Sequence, residues 1–267
     1  MKHALVALAL AAGVATLSAQ SSSSVYIEDL TWQEIRDAIA AGKSSAIIYI
    51  GGTEQNGPHM ALAKHNAIAH YAAGKIAERL GNALVYPTMP FSPAGDGIAK
   101  TGHARFPGTV SLSPDIFYGV TRQIALSALT GGFKNVFLMG DHGQGQAELK
   151  LAAEGLDADW KPKGARVFFV PDVYSKSTEQ VNAYLAEHKI PGGGHAGVAE
   201  TSQVLFLDQQ KKWIRSNKLT AGRGQPEPST GINGDPSPAT AEMGKIFLDF
   251  KINSAVEQIK ALTADHK

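Results

Sequence analysis

The sequence predicts an α/β protein in three layers, α/β/α, with helices covering both faces of a mostly parallel central sheet. Amphipathic segments of helical period, roughly 15 residues each, alternate with short apolar runs. The runs lack the polar alternation of a half-exposed strand, which marks strands covered on both faces. The polar, glycine-rich clusters begin where apolar runs end, the edge at which such sheets gather their ligands.

The first element is a helix over 31–41. Thr31 and Glu34 have the spacing of a capping box, Ile35 and Ile39 lie one turn apart, and Gly42 can end it. The apolar run 46–50 is a buried strand that stops at Gly51 and Gly52. The alternation then repeats: helix 66–80, strand 83–86, helix 114–129, strand 135–139, helix 147–156, strand 166–170. Later helices are expected over 197–207 and 241–264. The Pro, Gly and Ser-rich stretch 222–238 between them is expected to be an ordered surface loop. No internal repeat is present.

Ahead of these elements, Met1, Lys2 and His3 lead into an apolar, alanine-rich run over 4–17 that closes in Ser18 and Ala19, the layout of a secretory leader. The run is shorter than the roughly 20 apolar residues of a membrane span, and Gln20 with Ser21 to Ser24 follows without a basic stop-transfer cluster. The expectation is a signal peptide over 1–19, one domain over 20–267, and an exported protein, periplasmic or secreted, free of the membrane after cleavage. A retained anchor is the alternative. With 25 basic and 24 acidic side chains there is no charge excess to attract nucleic acid or an anionic membrane. The absence of cysteine removes disulfides, thiolate nucleophiles and zinc–thiolate sites, so any metal must be held by His, Asp or Glu.

Three clusters carry chemistry. The first, 51–66, packs Glu54, Gln55, Asn56, His59 and His65 behind a strand end, with glycines that permit close backbone approach and Pro58 to stiffen the turn. The second, 139–146, holds Asp141, His142 and Gln144 between a strand and a helix. Its glycines lack the spacing of a phosphate-binding loop, and a central histidine fits a ligand or proton carrier better. The third, 192–202, leads three glycines into His195 at the mouth of a helix, with Glu200 in the first turns. The positive helix end lowers the pKa of such a histidine unless a carboxylate offsets it. Polar surface turns and a helix-capping histidine are the bland alternatives.

Taken together, the segments Glu54-Gln55-Asn56-Gly57-Pro58-His59, Gly140-Asp141-His142-Gly143 and His195-Ala196-Gly197-Val198-Ala199-Glu200-Thr201-Ser202 resemble the creatininase family of amidohydrolases, in order along most of the chain. His103-Ala104-Arg105-Phe106-Pro107-Gly108-Thr109 and Gly234-Asp235-Pro236 resemble two further stretches of that family. The resemblance implies a creatininase-like fold, a small-molecule substrate, a homo-oligomer and divalent metal. It also marks departures: Asn56 stands at a second-metal histidine, His65 at a bridging aspartate and Gln144 at a later ligand glutamate. Neutral amides are poor ligands, which leaves Glu54, His65 and His142 as a mononuclear set with an open position for water.

The expected activity is hydrolysis of an amide or cyclic amide C–N bond by a water that one divalent ion activates, with zinc expected first and manganese or iron as alternatives. By resemblance His195 manages protons for the leaving nitrogen, and Glu200 orients its ring. Asn56, His59, His103 and Gln144 are expected to grip the substrate, and Asp141 to be an extra ligand or the partner of a ligand histidine. The competing expectation is a degenerate family member that binds a small molecule or metal without turnover. A serine hydrolase is disfavoured, because no G-x-S-x-G segment is present.

Overall fold

The computed structural model describes residues 24–220 and 227–264. The leader expected over 1–19 and the 222–226 part of the expected surface loop lie outside the described residues. Among the described residues four strands form one sheet: β1 (Ser45–Ile50), β2 (Ala83–Val85), β3 (Asn135–Gly140) and β4 (Arg166–Phe169). Their order is β2-β1-β3-β4 and every pairing is parallel.

Because side chains alternate along a strand, each strand feeds both faces. Ile47, Tyr49, Val85, Phe137, Met139 and Phe168 pack against α2 (Lys64–Leu80) and the long C-terminal helix α8 (Ala241–Ala264). Ala46, Ile48, Ile50, Leu84, Val136, Leu138 and Val167 pack against α3 (Pro114–Thr130) and α4 (Gln146–Trp160). Burial on both sides explains why these strands are continuously apolar in sequence. Helices on both sides of a parallel sheet are the predicted three-layer arrangement.

The first helix, α1 (Trp32–Ala40), opens on the expected capping box: Glu34 N donates to Thr31 Oγ1 at 3.3 Å, and Thr31 N donates to Glu34 Oε2 at 2.7 Å. Two helices complete the layer around α8. One, α6 (Val198–Leu207), was expected; the other, α5 (Ser175–Glu187), has no counterpart in the sequence reading. Only Ser177, Val181 and Leu185 of α5 are buried, a stripe one residue wide among polar neighbours, too narrow to stand out as an amphipathic pattern. The short helix α7 (Glu227–Thr230) lies within the expected surface loop. Among the described residues no helix is long and apolar enough to cross a membrane.

Candidate metal centre

The site is assembled by the register of the two central strands. Ile50 of β1 lies opposite Gly140 of β3, so the segments that follow, to Glu54 and to His142, leave the same edge of the sheet side by side. After β1 the chain is fastened to α2 by Asn66, whose Oδ1 accepts from Gly52 N at 2.8 Å and whose Nδ2 donates to Thr53 Oγ1 at 3.1 Å. Any side chain at Gly51 would collide with Asn66, which is the physical need for glycine there. The same loop returns into the first turn of α2, bringing Lys64 and His65 beneath Glu54. His103 arrives on a single turn of 3-10 helix (Gly102–Arg105), and His195 on a segment whose backbone pairs with Asn233 at 2.8 and 3.3 Å.

Glu54 is the hub. Its carboxylate is buried, with Oε2 at 2.7 Å from His142 Nε2 and 3.6 Å from His103 Nε2. Oε1 meets His65 Nε2 at 2.9 Å, Lys64 Nζ at 3.3 Å and His195 Nδ1 at 3.5 Å. Glu54, His103 and His142 each offer a ligand atom within 4.8 Å of the others, which makes them a candidate metal-binding trio. In a tetrahedral zinc site, bond lengths of about 2.0 Å put ligand atoms roughly 3.3 Å apart, so small side-chain shifts would admit an ion. His142 is prepared for either tautomer: its Nδ1 lies 3.1 Å from the Gln144 backbone N and 3.4 Å from the Gln144 carbonyl oxygen. Bonding an ion through Nε2 requires Nδ1 to carry the proton, for which the carbonyl is the acceptor.

The residues singled out in the sequence separate into three groups. His65, expected as a ligand, is outside that trio: its Nε2 takes the far oxygen of Glu54 and its Nδ1 lies 2.6 Å from Asp141 Oδ2. Asp141 is thereby the partner of His65, and its other oxygen meets Lys251 Nζ at 2.8 Å and the Tyr49 hydroxyl at 3.1 Å. His103 and Gln144, expected to touch substrate, line a pocket of about 230 Å³ together with Glu54, His142, His195 and Glu200. Asn56 and His59, also expected to touch substrate, do not reach that pocket because both are fully buried. Asn56 Nδ2 ties the loop together through the carbonyls of Glu54 and Ala61, each at 2.9 Å, and His59 Nε2 lies 3.0 Å from Thr201 Oγ1.

Glu200 was expected to orient His195 by a hydrogen bond. Its carboxylate is instead 4.0 Å from His195 Nδ1, too far for one, because it is bound by Lys64 Nζ at 2.5 Å and Ala196 N at 2.6 Å. The ring of His195 is set by Gln55, whose backbone oxygen lies 2.9 Å from Nε2, and by stacking on His103 with centroids 4.0 Å apart. The Gln55 side-chain amide nitrogen also lies 3.0 Å from Nε2, so a donor and an acceptor meet the same ring nitrogen, while Nδ1 lies on the Glu54 side at 3.5 Å.

Residues 28–259 match a family described as creatinine amidohydrolase. The chain belongs to the creatininase family. Its members are metal-dependent amidohydrolases, and the trio of Glu54, His103 and His142 is this member's candidate metal site. The chain is 27% identical to the mycofactocin precursor peptide peptidase of Mycolicibacterium smegmatis over 243 residues, 82% of this chain and 85% of the relative. It is 29% identical to the creatinine amidohydrolase of Pseudomonas putida over 195 residues, 70% of this chain and 73% of the relative. The fold is similar to a crystal structure of creatinine amidohydrolase, with a TM-score of 0.72 and 23% identity, covering 90% of this chain and 98% of that one. Solved creatininases of this fold include a Zn–Zn form and a manganese form.

In this family member the charges of the site compensate one another. Burial by itself would raise the Glu54 carboxyl, but Lys64 and His65 beside it outweigh burial and hold it well below the usual carboxylate range. Glu200 follows the same pattern, its burial outweighed chiefly by Lys64, and is lowered to about 2. Burial and Lys64 would both lower His65, yet Glu54 and Asp141 raise it to about 9. His195 is lowered to about 3, by burial first and then by Lys64. Lys64, Lys251 and protonated His65 therefore balance Glu54, Asp141 and Glu200.

Two residues of this arrangement were missed from sequence. Lys64 is fully buried between two carboxylates at the first position of α2. Its signal was present, because the positive end of a helix disfavours a cation unless an anion is built beside it. Gln55, besides fixing His195, places its amide nitrogen 2.9 Å from His103 Nδ1 and donates to the Gly231 carbonyl at 3.0 Å. Gly231 has φ +73, and a side chain there would strike Gln55. No local pattern in the sequence announces that role.

Proposed function

We propose that this chain hydrolyses the C–N bond of an amide, linear or cyclic, using one divalent ion per subunit held by Glu54, His103 and His142. The observation that carries it is the convergence of one carboxylate and two imidazoles in an open pocket of about 230 Å³. When bound, the ion supplies Lewis-acid polarisation and a lowered pKa for water, with zinc, manganese and iron all compatible with such a donor set. His195 Nδ1 accepts a proton from the attacking water and returns it to the leaving nitrogen as the C–N bond breaks. Gln55 holds the ring by its two contacts at Nε2, which leaves Nδ1 on the Glu54 side of the pocket, and Gln144 stands at the rim as a hydrogen-bonding group for substrate.

A single ion is favoured by Lys64. Its ammonium already supplies a positive charge between Glu54 and Glu200, where a second cation would otherwise have to compensate them. The same compensation favours the second reading, a family member that binds without turnover, since the carboxylates are neutralised before any ion arrives. The leader-like residues 1–19 would place either activity outside the cytoplasm.

The test is hydrolysis of cyclic and linear amides by zinc- or manganese-reconstituted protein, with and without a chelator. Activity that follows the metal supports amide hydrolysis; stoichiometric metal with no amide turned over supports the binding reading. In His195→Ala, metal content is expected to stay at the wild-type value while turnover falls by about 10² to 10⁴, the usual contribution of a positioned acid or base. Unchanged turnover in that variant removes His195 from the chemistry.

A further inference from the structure

Most polar groups that line the metal pocket are already paired within the site. Glu54, His65, His103, His142, His195 and Glu200 each meet at least one other polar side chain. No lysine or arginine lines the pocket, and protonated His65 has its two ring nitrogens taken by Glu54 and Asp141 at 2.9 and 2.6 Å. Two lining side chains have no hydrogen-bond partner among the described residues: Gln144, exposed at the rim, and Tyr174, which is half-buried. The Tyr174 hydroxyl, though unpartnered, is not sealed away as a buried atom.

Gly143 fixes where that hydroxyl lies. A Cβ at this glycine would stand 2.7 Å from the Tyr174 hydroxyl oxygen, closer than the two atoms can pack. Gly143 does not have a positive φ, so it is the space taken by the phenol, and not the backbone, that calls for glycine there. Tyr174 borders both the metal pocket and a neighbouring cavity of about 370 Å³, but Gly143 borders the metal pocket alone. The phenol end of Tyr174 therefore belongs to the metal side. Burial first, then the charges of Glu200 and Asp141, raise its pKa above the ordinary tyrosine value, so at neutral pH it is a donor. Its ring packs against the core between the sheet, α2 and α8, which holds the donor in place before any substrate arrives.

Taking the amide hydrolysis proposed above as given, we infer that Tyr174 is a catalytic residue, its hydroxyl donating a hydrogen bond to the carbonyl oxygen of the scissile amide as that oxygen becomes an anion. Attack by water forms the new C–O bond and moves the carbonyl π pair onto oxygen, while His195 takes the proton that the water releases. The phenol holds the oxyanion without giving up its own proton. When the pair returns, the C–N bond breaks and the nitrogen leaves with the proton from His195. A donor fixed in advance where charge develops lowers the barrier without reorganising during the reaction.

The experiment compares zinc-loaded Tyr174→Phe with the wild type. Zinc content is expected to be the same. Methylphosphonate, a tetrahedral anion shaped like the intermediate, is expected to bind about 10- to 100-fold more weakly by calorimetry, the worth of one hydrogen bond to a charged group. On the amide that the wild type cleaves fastest, kcat is expected to fall by about 10² to 10³ with KM little changed, the pattern of an interaction made only in the transition state. Gly143→Ala, which presses a methyl group onto the hydroxyl, is expected to lower kcat in the wild type and to cost nothing further in Tyr174→Phe. A residue that merely supports the fold would not produce that coupling.

Methylphosphonate bound equally by both proteins or by neither, or losses that simply add in the double variant, overturns the inference. Failure of the hydrolytic proposal would look different: the wild type would cleave no amide, yet the loss of methylphosphonate binding in Tyr174→Phe would persist and mark the phenol as the anion donor of the pocket. Conversely, amide cleavage by Tyr174→Phe at the wild-type rate leaves the hydrolase standing and removes Tyr174 from the chemistry.

Discussion

Glu54→Gln is expected to abolish both metal retention and amide hydrolysis. The carboxylate is the one anionic donor of the candidate trio, and its Oε1 also meets His65, Lys64 and His195. Altering a residue that merely orients a ligand costs 10- to 100-fold in metal affinity, so loss of the ligand itself should exceed about 10²-fold. Without several kcal/mol of Lewis-acid stabilisation, turnover should fall by about 10³-fold or more. Elemental analysis beside an amide assay reads both effects. Full metal occupancy in this variant would mean that Glu54 is a structural partner of Lys64 and His65 and not a ligand.

Lys64→Met is expected to have the largest effect on stability. The lysine side chain has no exposed surface, and it holds Glu54 and Glu200 at 3.3 and 2.5 Å. Methionine fills much the same volume but strands two carboxylates in a buried site, and breaking a buried pair in this way costs about 3–5 kcal/mol. A divalent ion can replace the missing charge. The loss in Tm should therefore be large in chelator and partly recovered in zinc, and the variant should take up more zinc per chain than the wild type. Equal Tm values for the two proteins in chelator, or a variant whose deficit zinc does not reduce, would contradict the role given to Lys64.

The fold was legible because its physics is local. Strands buried on both faces must be apolar where they are covered, and the runs at 46–50 and 136–139 are, so the central pair and the clusters behind it could be read directly. The segment 175–187 was not legible, since a one-residue buried stripe leaves a mostly polar sequence. The site was legible where its residues follow strand ends, as Glu54 and His142 do.

His103 follows no strand. Its placement depends on a 3-10 turn pinned by the Ala104 N bond to the Ala94 carbonyl at 3.0 Å, a tertiary contact without a local signature. His65 was equally visible in sequence, but spacing along the chain could not tell which oxygen of Glu54 it would meet. Asn56 and His59 looked functional because polar residues in a loop behind a strand usually face solvent or ligand. Here the loop folds over itself and buries both, with Asn56 closing it by two carbonyl bonds.

The account stands on one divalent ion shared by Glu54, His103 and His142. The direct measurement is metal content per chain after zinc reconstitution and desalting, for the wild type beside His103→Ala and His65→Ala. The arrangement predicts one ion per chain in the wild type, an ion retained in His65→Ala, and none in His103→Ala. Full occupancy in His103→Ala, or loss of the ion in His65→Ala alone, would contradict it.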